Sequence, residues 1–287
     1  MNITIRKLTT YDDLKDVGDV EKEVWSLSDR DVLPLAVAIA FAEAGNLWLG
    51  AFDGPTLAGF AFAFFSLENG HPAIHSHMLA VREPYREHNL GFKLKHAQRD
   101  YALAAGIRRI TWTFDPLQSK NAHFNFAKLG AVSDRYKIDF YGPGTSSLLH
   151  RNGTDRLWLT WALNSRRVEA HLQGKDNRSE ALDALSALAP LVAFNGSGHP
   201  LRSDLGSSLA RRRIAIEIPV DINSMQKNDP TLAREWRDAT QWAFTQALQN
   251  GFFVAEFSRN IRGQQGPGVY LLEKGTIEDY IPELSRS

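Results

Sequence analysis

Met78-Leu-Ala-Val-Arg-Glu-Pro-Tyr-Arg-Glu-His-Asn-Leu-Gly-Phe-Lys-Leu-Lys95 takes an apolar strand through a short polar turn directly into an amphipathic helix. Leu90, Leu94, Ala97, Tyr101 and Ala104 recur at three- and four-residue spacing and predict the buried stripe, with Lys93, Lys95, Arg99 and Asp100 outside it. Gly106 supplies the stop. Such a turn is an anion site in outline. The backbone N–H groups of His88 to Phe92 are the unpaired donors of a helix start, aimed with the helix dipole at a docked negative group, for which phosphate is the natural candidate. Gly91 lets a ligand approach the backbone, and Asn89 is the non-glycine residue that best tolerates a left-handed turn. Arg86, Lys93 and Lys95 add cations. Taken alone, a strand, a turn and a helix are common α/β punctuation.

Arg86-Glu-His-Asn-Leu-Gly91 resembles the pyrophosphate loop of the GNAT superfamily of N-acyltransferases, with Asn89 in place of the first glycine. Leu79-Ala-Val81 is similar to the family's strand whose backbone pairs with the pantetheine arm of coenzyme A. Asn121-Ala-His-Phe-Asn-Phe-Ala-Lys-Leu-Gly130 resembles the helix ending beside the cofactor. The order of elements over residues 1 to about 165 also fits. It runs from a strand Ile3–Arg6 through helices Tyr11–Val24 and Leu33–Ala44 to a strand pair around Asp53-Gly54. The central strand Ile74–Val81, the loop and long helix, a strand Arg109–Phe114, the 121–129 helix and a closing strand Leu157–Ala162 follow. Trp112-Thr-Phe-Asp-Pro-Leu117, Asp139-Phe-Tyr-Gly142 and Asp155-Arg-Leu-Trp158 look like a less characterised branch. The resemblance implies an α/β (α+β) fold with a mixed, splayed central sheet flanked by helices. It further implies acetyl-CoA or another acyl-CoA as cosubstrate, held by Leu79, Ala80, Val81, Arg86, Glu87, His88, Asn89, Leu90, Gly91 and Phe92, with Asn121 and Asn125 on the cofactor arm. Asn121 alternatively opens its helix.

The bulk properties restrict the alternatives. At 287 residues, with 43% hydrophobic and 23% charged, the chain has an ordinary globular composition with room for one large domain or two smaller ones. Thirty-three basic residues balance thirty-three acidic ones, which offers no net field to nucleic acid, and the triplet Arg211-Arg-Arg213 reads as a solvated edge. The absence of cysteine excludes disulfides, thiolate metal sites and a catalytic thiol. No signal segment opens the chain and no apolar run reaches the roughly 20 residues that span a bilayer, so the expectation is a cytoplasmic protein without a membrane partner. The expected division is residues 1–165 as the acyltransferase domain, 166–212 as a linker with a short helix near Ala181–Leu188, and 213–287 as an α+β appendage. In that appendage Pro219 favours an edge strand, and the helix Thr231–Leu248 presents Leu232, Trp236, Ala239, Trp242, Ala243 and Ala247 on one face. The appendage shapes an acceptor pocket or a homodimer contact.

Transfer of an acyl group from a thioester to an amine needs a base, an oxyanion donor and a proton for the leaving thiolate. His75 and His77, two apart in a strand, place both rings on one face together with Leu79, and imidazole accepts a proton near neutral pH. His75-Ser-His77-Met-Leu-Ala-Val81 is similar to the two-histidine strand of the serotonin N-acetyltransferase group, which implies a proton relay through water; the competing reading is a pair of satisfied core histidines. No third ligand at recognisable spacing supports a metal, even with His71 nearby. Where many members of the superfamily carry an acidic tyrosine this chain has Phe126, leaving Tyr136 and Tyr141 as donors, of which Tyr141 is the choice. Trp112 and Asp115 lie at a strand's carboxyl end, where ligands collect; Asp115 either binds the acceptor's ammonium or starts the Asp-Pro turn. Arg156 either pairs with an acceptor carboxylate or forms a surface ion pair beside Asp155. The leading reading is an N-acyltransferase moving acetyl or a larger group such as succinyl onto a small amine, possibly an amino acid, by direct attack. Its rival is a catalytically degenerate acyl-CoA-binding or regulatory module. A dinucleotide-binding oxidoreductase lacks its glycine fingerprint here.

Overall fold

The computed structural model describes residues 2–142, 151–174, 188, 190–261 and 264–286. They divide into two units, one of residues 2–112 with Arg151, the other of residues 113–142 and 152–286. The division falls inside a strand at Trp112, not at residue 165.

In the first unit the strands stand in the order β1 (Ile3–Lys7), β2 (Leu47–Asp53), β3 (Thr56–Glu68), β4 (His71–Val81) and β5 (Arg109–Phe114, leaving the unit after Trp112). Neighbours are antiparallel except β4 and β5, which run parallel and are joined across helix α4 (Leu90–Ala104). A parallel pair requires such a crossover. Helices α1 (Tyr11–Leu14), α2 (Val17–Trp25) and α3 (Leu35–Glu43) bring Leu14, Val17, Val20 and Ala38 onto the sheet face that carries Trp48, Phe60, Phe62 and Ala80. Trp48 and Phe62 stack with ring centroids 4.1 Å apart. The helix expected over Tyr11–Val24 starts on a capping box of Thr10 and Asp13 and is divided at Lys15 and Asp16, which keep right-handed backbone angles, before α2 starts at Val17. The one expected from Leu33 begins at Leu35, after Pro34.

The second unit orders its strands as β7 (Arg156–Ala162), β6 (Val132–Lys137), β11 (Phe252–Ile261), β12 (Gln264–Lys274), β10 (Arg213–Ile218), β8 (Pro190–Phe194) and β9 (Pro200–Arg202). β8 and β10 are parallel and the other neighbours antiparallel. The helix Pro230–Gln249 starts on the Asp229 side chain with proline in its first turn and buries Ala233, Trp236, Ala239, Ala243, Phe244 and Ala247.

Several expectations change here. β6 was not anticipated, since Ser133, Asp134, Arg135 and Lys137 dilute its apolar pattern. The expected linker 166–212 carries helix α6 (Arg166–Leu172), β8, β9 and the helix Leu205–Leu209. Of the short helix expected at Ala181–Leu188, all but Leu188 lies outside the described residues. β10 is paired on both sides, and Pro219 sits just past its end, where the missing N–H costs no ladder bond.

Candidate functional site

β4 ends at Val81, and residues Glu83–His88 coil into a 3₁₀ turn with Pro84 near its start. Arg86 folds back, its Nε donating to the Val81 carbonyl at 3.2 Å. Asn89 then takes the left-handed conformation at φ 56° and ψ 22°, and α4 begins at once. The first backbone bond of α4 runs from the Lys93 N–H to the Asn89 carbonyl at 3.0 Å, so the N–H groups of Leu90, Gly91 and Phe92 precede any intrahelical acceptor. The Asn89 side chain makes no cap bond to them. A Cβ on Gly91 would meet only Leu79 Cδ2 at 3.5 Å, so no backbone crowds this turn. A diphosphate therefore fits: donors converge, the dipole favours negative charge, and His88, Asn89 and Lys93 are exposed around them. The Glu87 side chain lies outside the described residues. Phe92 packs on His96, ring centroids 4.6 Å apart.

Upstream, the β3–β4 pairing shifts register: Phe62 faces Met78 and Ala63 faces Ser76, which leaves His77 as the extra residue of a bulge. The His75 and His77 rings still lie on the same side, centroids 6.3 Å apart, both beside Phe64 at 5.3 and 5.9 Å. Leu79 does not join them. The extra residue resets the alternation and turns Leu79 towards α4, against Gly91. His75 is buried, its Nδ1 2.9 Å from Thr111 Oγ1, while His77 is exposed. Desolvation by the surrounding rings lowers the His77 pKa below the ordinary 6.5, so the ring is neutral and able to accept a proton at pH 7. Backbone N–H groups around a bulge are candidates for the oxyanion donor.

Lys95 is not a solvent-facing cation of the anion turn. The buried face of α4 is Leu90, Leu94, Lys95, Gln98 and Ala102, whereas Ala104 is exposed and Ala97 and Tyr101 are half-buried. Lys95 is 3% exposed; its Nζ donates to Ser76 Oγ at 2.8 Å and lies 3.8 Å from the centre of the Trp112 ring. Ser76 in turn donates to Gln98 Oε1 at 2.9 Å. Burial pulls the Lys95 pKa down from 10.5 to about 7. Sequence reading missed this cluster although a signal existed, since Leu94, Gln98 and Ala102 keep helical spacing and Lys95 lies between the first two. Trp112 is buried, with its ring over this ammonium.

The other sequence-selected residues belong to the second unit. Asp115 is buried, bound by both Arg237 Nη atoms at 2.9 Å, and its Oδ1 accepts the Leu117 N–H at 3.0 Å, the Asp-Pro turn of the alternative reading. Burial would raise this carboxyl, but the Arg237 charge and these hydrogen bonds outweigh it and hold it below its usual range. Its charge is thus committed within the protein and not presented to an ammonium. Arg156 is no surface ion pair: it is buried, donates to the Asp155 carbonyl at 2.8 Å and lies 5.0 Å from the Tyr141 ring centre. Desolvation lowers its pKa, opposed by Asp115 and Tyr141. The Tyr136 hydroxyl donates to Asp155 Oδ2 at 2.7 Å, and burial with that neighbouring carboxylate raises its pKa well above 10, which removes it as an acid near neutral pH. Tyr141 remains, 42% exposed. Phe126 is fully buried against Phe114 and Tyr270. Helix α5 (Ser119–Ala122) continues as a π turn over His123–Lys128, so Asn121 lies inside the helix instead of opening it, and is exposed; Asn125 is buried in the π turn. Arg237 was not singled out from sequence, hidden in a helix face read as apolar.

Among the described residues no three His, Cys, Asp or Glu side chains gather as a metal site would, and no helix is long and apolar enough to cross a membrane. No curated protein matches the chain. Among solved structures it is similar to the ribosomal-protein-S18-alanine N-acetyltransferase of Escherichia coli, at 15% identity over 56% of this chain and 94% of that one, TM-score 0.46. A GNAT family acetyltransferase of Elizabethkingia anophelis with acetyl-CoA bound is 15% identical over 56% and 98%, TM-score 0.42. The PaiA N-acetyltransferase of Thermoplasma acidophilum in complex with coenzyme A is 19% identical over 56% and 99%, TM-score 0.40. The model of the acetyltransferase (GNAT) family matches residues 12–131, the segment that holds β4, the left-handed turn and α4.

Proposed function

We propose that the protein is an N-acyltransferase that takes acetyl, or a larger acyl group such as succinyl, from acyl-CoA to the amine of a small molecule, with amino acids among the candidate acceptors. The observation that carries the reading is the uncapped start of α4 behind a left-handed Asn89, within the segment matched by the family. The amides of Leu90, Gly91 and Phe92 would hold the diphosphate, with the backbone of β4 at Leu79–Val81, beyond its pairing with β5 at Ile74 and His75, along the pantetheine. The acceptor nitrogen attacks the thioester carbon, the C–S bond breaks, the amine proton leaves to His77 directly or through water, and the thiolate takes a proton from water. His75, held by Thr111, orients or relays from the same face.

A second reading, a module that binds acyl-CoA without turnover, draws support from Phe126 at the usual acid position and from Tyr136 being spent on Asp155. Mixing the purified protein with acetyl- or succinyl-CoA and a panel of amines, while following free thiol, separates them. An enzyme releases thiol only with its acceptor present; binding without amine-dependent thiol favours the module.

A further inference from the structure

Ser76 stands between the two candidate bases, yet it belongs to the other face of β4. His75 and His77 lie beside Phe64, whereas the Ser76 hydroxyl is gripped from α4 by Lys95 at 2.8 Å and Gln98 at 2.9 Å. All three polar residues are buried, and among the described residues the Gln98 amide nitrogen finds no hydrogen-bond partner. Among the described residues no carboxylate neutralises Lys95; the Trp112 face is its remaining support. A methionine or leucine would fill the same space without desolvating a cation, so packing does not account for a lysine here. Its position in the strand offers an account. Ser76 is the last residue of β4 paired with β3 before the bulge, and the next residue is His77. Bulges swing in φ and ψ more readily than regular strand, because the extra residue has no ladder bond of its own.

We infer that Lys95 is a positioning residue, acting through Ser76 to fix the bulge that presents His77. This rests on the acyl-transfer reading for its role in catalysis, but the mechanical coupling stands on the geometry of the first unit alone. The Lys95 amino group, which can donate in either protonation state, and the Gln98 carbonyl hold one hydroxyl from two directions, leaving Ser76 a single rotamer and anchoring the backbone beside the base. Preorganisation of this kind affects turnover more than cofactor affinity, since the anion turn lies beyond the end of the strand.

The test compares Lys95→Met, Ser76→Ala and the double variant with the parent protein. Expected are losses in kcat of about tenfold or more in each single variant with KM for acyl-CoA within about twofold, and a double variant no slower than the slower single, because both remove one connection. Unchanged kcat in Lys95→Met, or losses that multiply, overturns the inference. A second readout needs no turnover: the proton signals of the His77 ring are followed in parent and Lys95→Met through a pH titration. A shifted or broadened ring signal with an altered midpoint is expected; ring signals and midpoint identical to the parent overturn the coupling. If the parent itself releases no thiol, the acyl-transfer reading fails, and the ring signals still decide whether Lys95 governs His77.

Discussion

Lys95 carries a cost that can be measured. Its folded pKa of about 7 lies below the unfolded 10.5, so between these values the native state binds fewer protons than the unfolded chain. Stability from this group therefore rises with pH across that window and is lowest below about pH 7. Lys95→Met removes the penalty. Unfolding by urea is expected to show a gain of about 2–4 kcal/mol at pH 7, part of the full shift being offset by the Trp112 face, and a clearly smaller gain at pH 10. An equal gain at both pH values would mean the lysine is not desolvated as described. Arg237 behaves in the opposite way. Arg237→Met strands the buried Asp115 carboxylate and is expected to cost about 3–5 kcal/mol in the same assay, with Asp115→Asn in the same chain restoring part of the loss. Neither residue is conspicuous in sequence: a cation inside a helix stripe reads as solvent-facing until the neighbouring element supplies its partner.

The decisive element is the passage from β4 into α4, and much of it was legible. The apolar strand, the polar turn and the repeat from Leu90 to Leu94 fix a strand–turn–helix, and the tolerance of asparagine for left-handed backbone foretold Asn89. The bulge at His77 was not legible, because register depends on β3, and with it went the placement of Leu79. The α4 stripe was read one step off for a similar reason: Ala97 stays half-buried and Ala104 exposed, while Gln98 and Ala102 are buried. Asn89→Gly is expected to keep the turn and its affinity for coenzyme A. Asn89→Val forces a β-branched residue into the left-handed region at roughly 1–2 kcal/mol and is expected to weaken coenzyme A about tenfold by calorimetry. Because desolvation lowers the His77 pKa, the acyl-transfer rate is expected to hold from pH 8 to 7 and to fall with a midpoint below 6.5; His77→Ala should lose that limb along with most of the rate.

For the molecule as a whole, the α/β class was what the family resemblance implied, while the individual elements up to β7 followed from periodicity and turn chemistry, apart from the polar strand β6. The extent of each unit did not, since residues 113–142 are drawn by long-range pairing into the same unit as the C-terminal strands. The central claim is that the start of α4 grips the diphosphate of an acyl-CoA. Titration of isotope-labelled protein with coenzyme A, following backbone amides, tests it most directly. Saturable shifts largest at Leu90, Gly91 and Phe92 are expected; an absence of saturable binding, or shifts that leave these three amides untouched, would contradict that grip.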